Sequence, residues 1–475
     1  VNDADRKTIP IVPLAADGEL VSLYAAHQKI YPRTVQGLFA RWRWGFVVLT
    51  QLLFYGLPWL EWGQRQAVLF DLGSRRFYIF NLVLYPQDFI YLTGLLIISA
   101  LSLFLFTAVA GRLWCGYACP QTVYSELFMW IERKIEGDRV ARMRLDEAEF
   151  SLEKLVKKWY KHLVWMGLSI WTGFTFVGYF TPIRELAMEF FTTHMSSWEL
   201  FWVFFYGFAT YGNAGFMREQ VCKYMCPYAR FQSAMFDHDT LIVTYDPARG
   251  EPRGARSRHA DASQLKLGHC VNCTLCVQVC PTGIDIRQGL QYECIGCGAC
   301  IDVCDEVMDK MNYPRGLVRY ATQNALDNRW TSGQMWRRVL RPRVLIYSGL
   351  LGLITLGLLL SLTLRTPLKV DVVRDRASLA RITEVGTLEN VYRLQIMNAT
   401  ELPQHYHVQV QGLDSIQIKT DTTVQVGPAQ SRWVVVRVDI PYGSATAGSH
   451  PIWFEISAET EHIRVTEKSV FLVPR

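Results

Sequence analysis

Eight cysteines fall in two short runs that share one spacing. Cys270, Cys273, Cys276 and Cys280 form C-x2-C-x2-C-x3-C, followed by Pro281. Cys294, Cys297, Cys300 and Cys304 repeat it, with Asp305 where the first run has proline. Three thiols this close grip three irons of one cubane, and the fourth lies too far along to close the same cube, so it ligates the neighbouring cluster. The expected ligand sets are therefore Cys270, Cys273, Cys276 and Cys304, then Cys294, Cys297, Cys300 and Cys280. Gly296 and Gly298 let backbone N–H groups approach cluster sulfur. A zinc site is the competing use of such thiols, but it draws four of them in two separated pairs. Two adjacent [4Fe–4S] clusters imply one-electron transfer over a distance and leave the acceptor open.

The remaining four cysteines repeat as well. "LWCGYACPQTVYSEL" holds Cys115 and Cys119, and "QVCKYMCPYARFQSA" holds Cys222 and Cys226. Both copies read C-x-Y-x-C-P. Proline suits the first turn of a helix, so Cys119 and Cys226 are expected at helix N-caps, where the dipole and free N–H groups favour a thiolate. Soft thiolates prefer Cu(I) among the accessible copper states. The pairs are candidates for copper binding, or for cycling between dithiol and disulfide. Free thiols packed as small hydrophobes are the plainer alternative.

These sites need elements to hold them. The chain has 475 residues, 50% hydrophobic and 19% charged, too apolar for an ordinary soluble protein. Five stretches, 44–62, 89–110, 163–182, 198–216 and 344–364, reach the length of a membrane span, roughly 20 apolar residues. Tryptophans near their ends, such as Trp62, Trp165 and Trp198, suit an aromatic belt. Each C-x3-C-P copy follows a pair of spans, so a two-helix hairpin with a cysteine exit is the repeating unit, and such units pack with a site between them.

Basic residues crowd the segment between spans two and three (Arg133, Lys134, Arg139, Arg142, Lys154, Lys158 and others), whereas only Arg184 lies between three and four. The positive-inside rule then puts that loop, the N-terminus and the ferredoxin runs in the cytoplasm, and the C-terminus outside. The formal charge of +6 thus tracks the loops, and no nucleic-acid partner is expected. A reducing cytoplasm also disfavours a disulfide framework for the runs. The first 30 residues show no sustained apolar stretch, so no cleavable signal peptide is expected.

A transmembrane haem needs matched axial ligands. His162 begins span three and no second histidine lies within a span, so no haem is expected. His194, Met195 and Met188 sit in the short external loop, as a copper entry point or as ordinary loop residues. After span five, "VYRLQIMN", "HYHVQVQ", "RWVVVRVDIP", "PIWFEISA" and "SVFLVP" alternate like strands. They predict an immunoglobulin-like sandwich without its inter-sheet disulfide, a docking module rather than a catalyst.

The expected architecture is a multi-domain membrane protein. A cytoplasmic segment, 1–43, precedes a four-span region, 44–235, with the two hairpin repeats. A bacterial-type two-cluster ferredoxin domain occupies 236–343. A fifth helix, 344–365, leads to a periplasmic all-β domain, 366–475. This order of parts resembles the CcoG family, also called RdxA or FixG, the cytochrome c oxidase accessory proteins. The resemblance implies a bacterial inner-membrane protein that helps assemble cbb(3)-type oxidase and reduces Cu(II) to Cu(I). It implies that the eight ferredoxin cysteines are cluster ligands and that Cys115, Cys119, Cys222 and Cys226 are the family's membrane-proximal pairs. It further implies copper chaperones and oxidase assembly factors as partners, an unnamed cytoplasmic electron donor, and a homodimer as one possible state. A quinol-linked conduit to a periplasmic reductase and a redox-sensing assembly scaffold are the alternative functions.

Overall fold

The computed structural model describes residues 29–63, 65–258, 264–375, 380–459 and 463–474. Eight helices frame the membrane region and the cysteine sites: α1 (Leu38–Gly56), α2 (Phe89–Ala110), α3 (Pro120–Glu136), α4 (Leu152–Val177), α5 (Ser197–Thr210), α6 (Pro227–Met235), α7 (Ala299–Lys310) and α8 (Pro342–Thr363).

Helices α2 and α8 are apolar on every side, yet bury only Thr107 and Ala108, and only Val344, respectively. An apolar surface turned outward all round suits lipid, where a helix also satisfies its own backbone. The two pair through Tyr91, whose hydroxyl donates to the Ser361 carbonyl at 3.2 Å, and through Gly94, where a Cβ would stand 2.8 Å from Leu358 Cδ1.

The five-span expectation is supported in part. Among the described residues two helices, Pro86–Ala110 and Pro342–Thr363, are long and apolar enough to cross a membrane. The other three stretches are helical but differ from the expected spans. Helix α1 starts at Leu38, carries Arg41 and Arg43, and stops at Gly56 ahead of Pro58, so the predicted end at 62 falls in a short strand, Glu61–Trp62. Helix α4 begins eleven residues earlier than expected, with Lys154, Lys157, Lys158 and Lys161 in its first half. Helix α5 has 14 residues and then widens into a π-helical stretch, Tyr211–Met217. The α4–α5 pair packs at contact distance: a Cβ on Gly173 would stand 2.1 Å from the Val203 carbonyl oxygen.

The region after α8 is the expected sandwich. One sheet runs Gln417–Ile418, Ser431–Pro441, Thr387–Asn398, Leu368–Arg374, with Arg381–Ile382 added beside the third strand. The other runs Thr423–Val426, Gln404–Gln411, Gly448–Ala458, Arg464–Val473. Alternation builds the interior: Leu388, Tyr392, Leu394 and Ile396 meet Ile452, Phe454, Ile456 and Phe471 in one core. Sequence reasoning did not anticipate the meander Val68–Asp71, Arg76–Ile79, Leu82–Leu84, which docks Leu69, Tyr78 and Val83 on Met397 and Ala429 of the sandwich. Asp88, buried at the start of α2, pairs with Arg365 (2.7 Å) and with Lys369, tying that corner to the strand after α8.

Candidate functional site

The two ferredoxin runs fold alike. Residues Asn272 and Thr274 have φ of 56° and 57°, and their counterparts Gly296 and Gly298 have φ of 67° and 74°. Each loop therefore turns through the left-handed region at the same two places, which Asn tolerates and Gly favours. A short helix, Leu275–Gln278, follows the first loop and α7 follows the second.

The chain then exchanges its fourth cysteines in space. One cavity is lined by Cys270, Cys273, Cys276 and Cys304 with Val303, Leu317 and Val318 around them. A second is lined by Cys280, Cys294, Cys297 and Cys300, with Cys276 at the border. These are the groupings the spacing predicts. Among the described residues no three His, Cys, Asp or Glu groups close on a single metal ion, and thiols at the corners of a cage stand too far apart for that.

Burial pushes the thiols up, Cys276 to about 11 and Cys294 and Cys304 to about 12. The second cage is flanked by cations: Arg43 acts on Cys297 and Arg112 on Cys294. Both guanidinium Nε atoms are buried without a hydrogen-bond partner among the described residues. Orphaned donors beside a thiol cage fit an anionic iron–sulfur group, whose sulfur would accept them.

The C-x3-C-P pairs come together beside this cage. Cys119 and Cys226 are the N-caps of α3 and α6, each with proline at the first helical position. The backbone N–H groups of Gln121 and Thr122 lie on the side of the Cys119 sulfur and favour its thiolate, although none closes a cap hydrogen bond with it. Cys115 lies in the short helix Leu113–Tyr117, and the Gln232 amide of α6 donates to its sulfur at 3.4 Å. Cys222 sits in a π-helical turn, Val221–Met225. Thus the first repeat's cysteine touches the second repeat's helix, and each of Cys115, Cys119 and Cys222 feels the charge of Cys226.

One expectation about these thiols is reversed. Burial is the largest influence on Cys119 and raises it despite the N–H groups of Gln121 and Thr122. Cys115 is pushed to about 11 and Cys222 to about 12, by burial first and by neighbouring thiols, with Arg112 opposing. The dipole is visible in sequence; the depth of the site is not. His194 is exposed, Met188 is 63% exposed, and Met195 packs beside Ile183 and Leu186, so this loop gathers no ligand set among the described residues.

Contacts that sequence reasoning missed weld the pairs to the cage. A Cβ on Gly116 would stand 2.9 Å from Cys297 Cα and 2.9 Å from the Ile295 carbonyl oxygen. Arg112 donates to the carbonyls of Tyr292 and Ala229, bridging the loop before Cys294 to α6. Tyr320 donates to the Gly296 carbonyl at 2.6 Å. Asp302 of α7 accepts the N–H groups of Phe39 (3.2 Å) and Ala40 (2.7 Å), capping α1 from outside its own sequence. Arg43 of α1 reaches Glu126 of α3 in a buried ion pair that Arg133 shares at 3.0 Å. A glycine between two cysteines was the only signal of this docking in the sequence.

Comparisons with known proteins agree with these parts. Residues 217–323 match the family model described as a 4Fe-4S dicluster domain, 92–137 a 4Fe-4S binding domain, and 358–474 the IG-like fold at the C-terminal of FixG. The nitrogen fixation protein FixG of Rhizobium meliloti is 38% identical over 89% of this chain and 88% of its own. Protein RdxB of Cereibacter sphaeroides is 37% identical over 94% of this chain and 97% of its own, and RdxA of the same organism 38% over 90% and 92%. A crystal structure of a FixG-related protein from Vibrio parahaemolyticus is 24% identical, covering 23% of this chain and 97% of that one, with a TM-score of 0.21.

Proposed function

The chain belongs to the FixG/RdxA family and is an iron–sulfur electron-transfer protein, and from that premise we propose that it is a cupric reductase of the bacterial inner membrane. The substrate is Cu(II), the product Cu(I), and the purpose is copper supply during assembly of a cbb(3)-type oxidase. The observation that supports this reading is the meeting of Cys115, Cys119, Cys222 and Cys226 against the loop of Cys297.

In this reading Cys270, Cys273, Cys276 and Cys304 hold one [4Fe–4S] cluster, and Cys280, Cys294, Cys297 and Cys300 the other. When bound, the clusters supply one-electron storage and passage. The residues of the chain do the rest. Arg43 and Arg112 stabilise negative charge at the second cage. Gly116 brings the cysteine pairs to its edge. Four soft thiols bind copper and favour its monovalent state, because Cu(I) prefers sulfur and Cu(II) prefers nitrogen and oxygen. One electron converts one Cu(II) to Cu(I), with no bond to carbon broken. The basic loops and the ferredoxin domain face the cytoplasm and the sandwich faces the periplasm, where it offers a docking surface to assembly partners.

The test is stopped-flow mixing of anaerobically reduced protein with Cu(II), following the clusters by EPR and Cu(I) with a chelating dye. The reading requires Cu(I) to appear at the rate at which cluster signal is lost. Bleaching without Cu(I), or no bleaching, removes it in favour of a scaffold.

A further inference from the structure

A cavity of about 590 Å³ lies away from the cysteines, between α3, α4 and the π-helical stretch 211–217. Its size is that of a small-molecule site, and π-helical turns recur at functional sites. Its floor is Trp165, 1% exposed, with Lys161 Nζ 4.8 Å and Arg218 Cζ 5.6 Å from the ring. At its lip Phe216, 57% exposed, stacks on His162 at 6.0 Å and 11°. Ile30 and Gly215 complete the uncharged part of the wall.

Each cation inside has a carboxylate partner, some of them shared. Arg218 pairs with Glu132 at 2.8 Å, Lys161 with Glu136 at 3.0 Å, and Lys158 and Lys29 with Asp146 at 2.5 and 2.6 Å. Among the described residues of its wall no cation is left over for a phosphate, which argues against a nucleotide donor. The ligand that fits is uncharged, planar and able to cross an apolar lip. A histidine stands among the rings: His162, whose Nδ1 lies 2.9 Å from the Tyr211 hydroxyl. Burial and the charges of Lys161 and Lys158 hold His162 below its ordinary value against the opposing pull of Glu136 and Glu132, so it enters as a neutral base.

The cavity also adjoins the redox machinery. Arg218 and Glu219 line it on one side and, on the other, line a smaller crevice that reaches Cys222, Pro281 and Ile295.

We propose that this cavity is the electron-entry site and that it binds a hydroquinone. The inference rests on the electron-transfer reading above and names its donor. Oxidation of a hydroquinone to the quinone releases two electrons and two protons. The two electrons match the capacity of two one-electron iron–sulfur centres, which are the oxidant. In the tautomer that donates Nδ1–H to the Tyr211 oxygen, His162 Nε2 takes one proton, and water at the open mouth takes the other.

The full-length protein in detergent, cluster-loaded, is the material for the test. Equilibrium dialysis with decylubiquinone should show saturable binding. Phe216→Ala, at an exposed position, should weaken it up to about tenfold, the worth of a lost ring contact. His162→Gln should bind within a few-fold of the parent, yet slow cluster reduction by decylubiquinol and remove its pH dependence on the acid side of neutrality. Dithionite should reduce both clusters equally in all three proteins, which separates a blocked entry from a broken core. Reduction of the parent by NADH and not by the quinol overturns the proposal. So does unsaturable binding, or binding unchanged by Phe216→Ala. Dithionite-reduced protein mixed with Cu(II) tests the copper reading independently, so either can fail alone.

Discussion

Gly116 and Cys297 meet backbone to backbone: the space a Cβ would need on Gly116 is taken by Cys297 Cα at 2.9 Å and Cys297 N at 3.0 Å. The two C-x3-C-P repeats and the ferredoxin domain are thus one packed unit at this point. Neither backbone can give way without moving a cysteine.

Gly116→Ala should therefore cost stability of the order of 1–3 kcal/mol, as overpacking usually does. It should also perturb only one of the two clusters. EPR of the reduced protein should show an altered or absent signal from the cage of Cys297, with the other retained. Equal loss of both signals, or of neither, contradicts the contact.

The exchanged fourth ligands give a second test. Anaerobic protein should hold about eight irons, two cubanes of four. Cys304→Ala should damage the cluster of Cys270, Cys273 and Cys276, although those residues belong to the other run. About twelve irons in the parent would instead assign a third cubane to Cys115, Cys119, Cys222 and Cys226.

Replacing Cys119 and Cys226 by serine should leave the cubanes loaded and weaken Cu(I) binding, because a hydroxyl is a harder and less acidic ligand. Reoxidation of the clusters by Cu(II) should slow in parallel. In metal-free protein Cys119, beside the free N–H groups of its helix start, should alkylate at lower pH than Cys115 or Cys222. Serine variants that bind and reduce copper like the parent would make the pairs structural.

Asp146 provides a pH test at the other end of the site. Burial tends to raise its carboxyl, but bonds from Lys158, Lys29 and Tyr31 win and hold it below its ordinary value. A depressed carboxyl stabilises the fold above its unfolded pKa, about 4, and the contribution is lost as pH falls through the folded value. Proteolysis near Lys29 should accelerate as pH drops below about 4, and Asp146→Asn should be cut readily at every pH. Cleavage of the parent that ignores pH would remove Asp146 as the clamp.

Orientation is open to direct measurement. A reporter active only in the periplasm should work when fused after Arg475. One active only in the cytoplasm should work when inserted near Arg249. The reverse pattern would turn the protein over and place the cysteine runs outside.

The parts legible in sequence were those written locally. The C-x2-C-x2-C-x3-C spacing carries its own geometry, including the exchange of Cys280 and Cys304. Alternation in 391–398 and 432–441 sufficed for the sandwich strands, because strand period is a local property. The caps at Cys119 and Cys226 followed from one proline each. Distance along the chain hid the rest. Nothing near Asp302 says that it will cap α1, and the glycine at 116 allows a close approach without saying that Cys297 will make it. The bounds of the helices in 44–62 and 198–216 were harder to read, because α1 stops ahead of Pro58 and α5 passes into a π-helical stretch at Tyr211. The cavity of Trp165 was invisible because its walls come from three separate segments.

Asp88, Arg365 and Lys369 form a rivet at the junction of α2, α8 and the sandwich. Tyr85 adds a second fastening by donating to the Asn398 carbonyl at 2.9 Å, and Arg76 a third to Ala429 at 3.0 Å. A domain held at three points cannot swing on its single connecting helix. Its two sheets keep a fixed compass bearing relative to the helices beneath. Any protein that docks there is delivered at one angle, so the encounter is aimed by rotation of the whole molecule in the plane of the lipid rather than by a tether searching its reach.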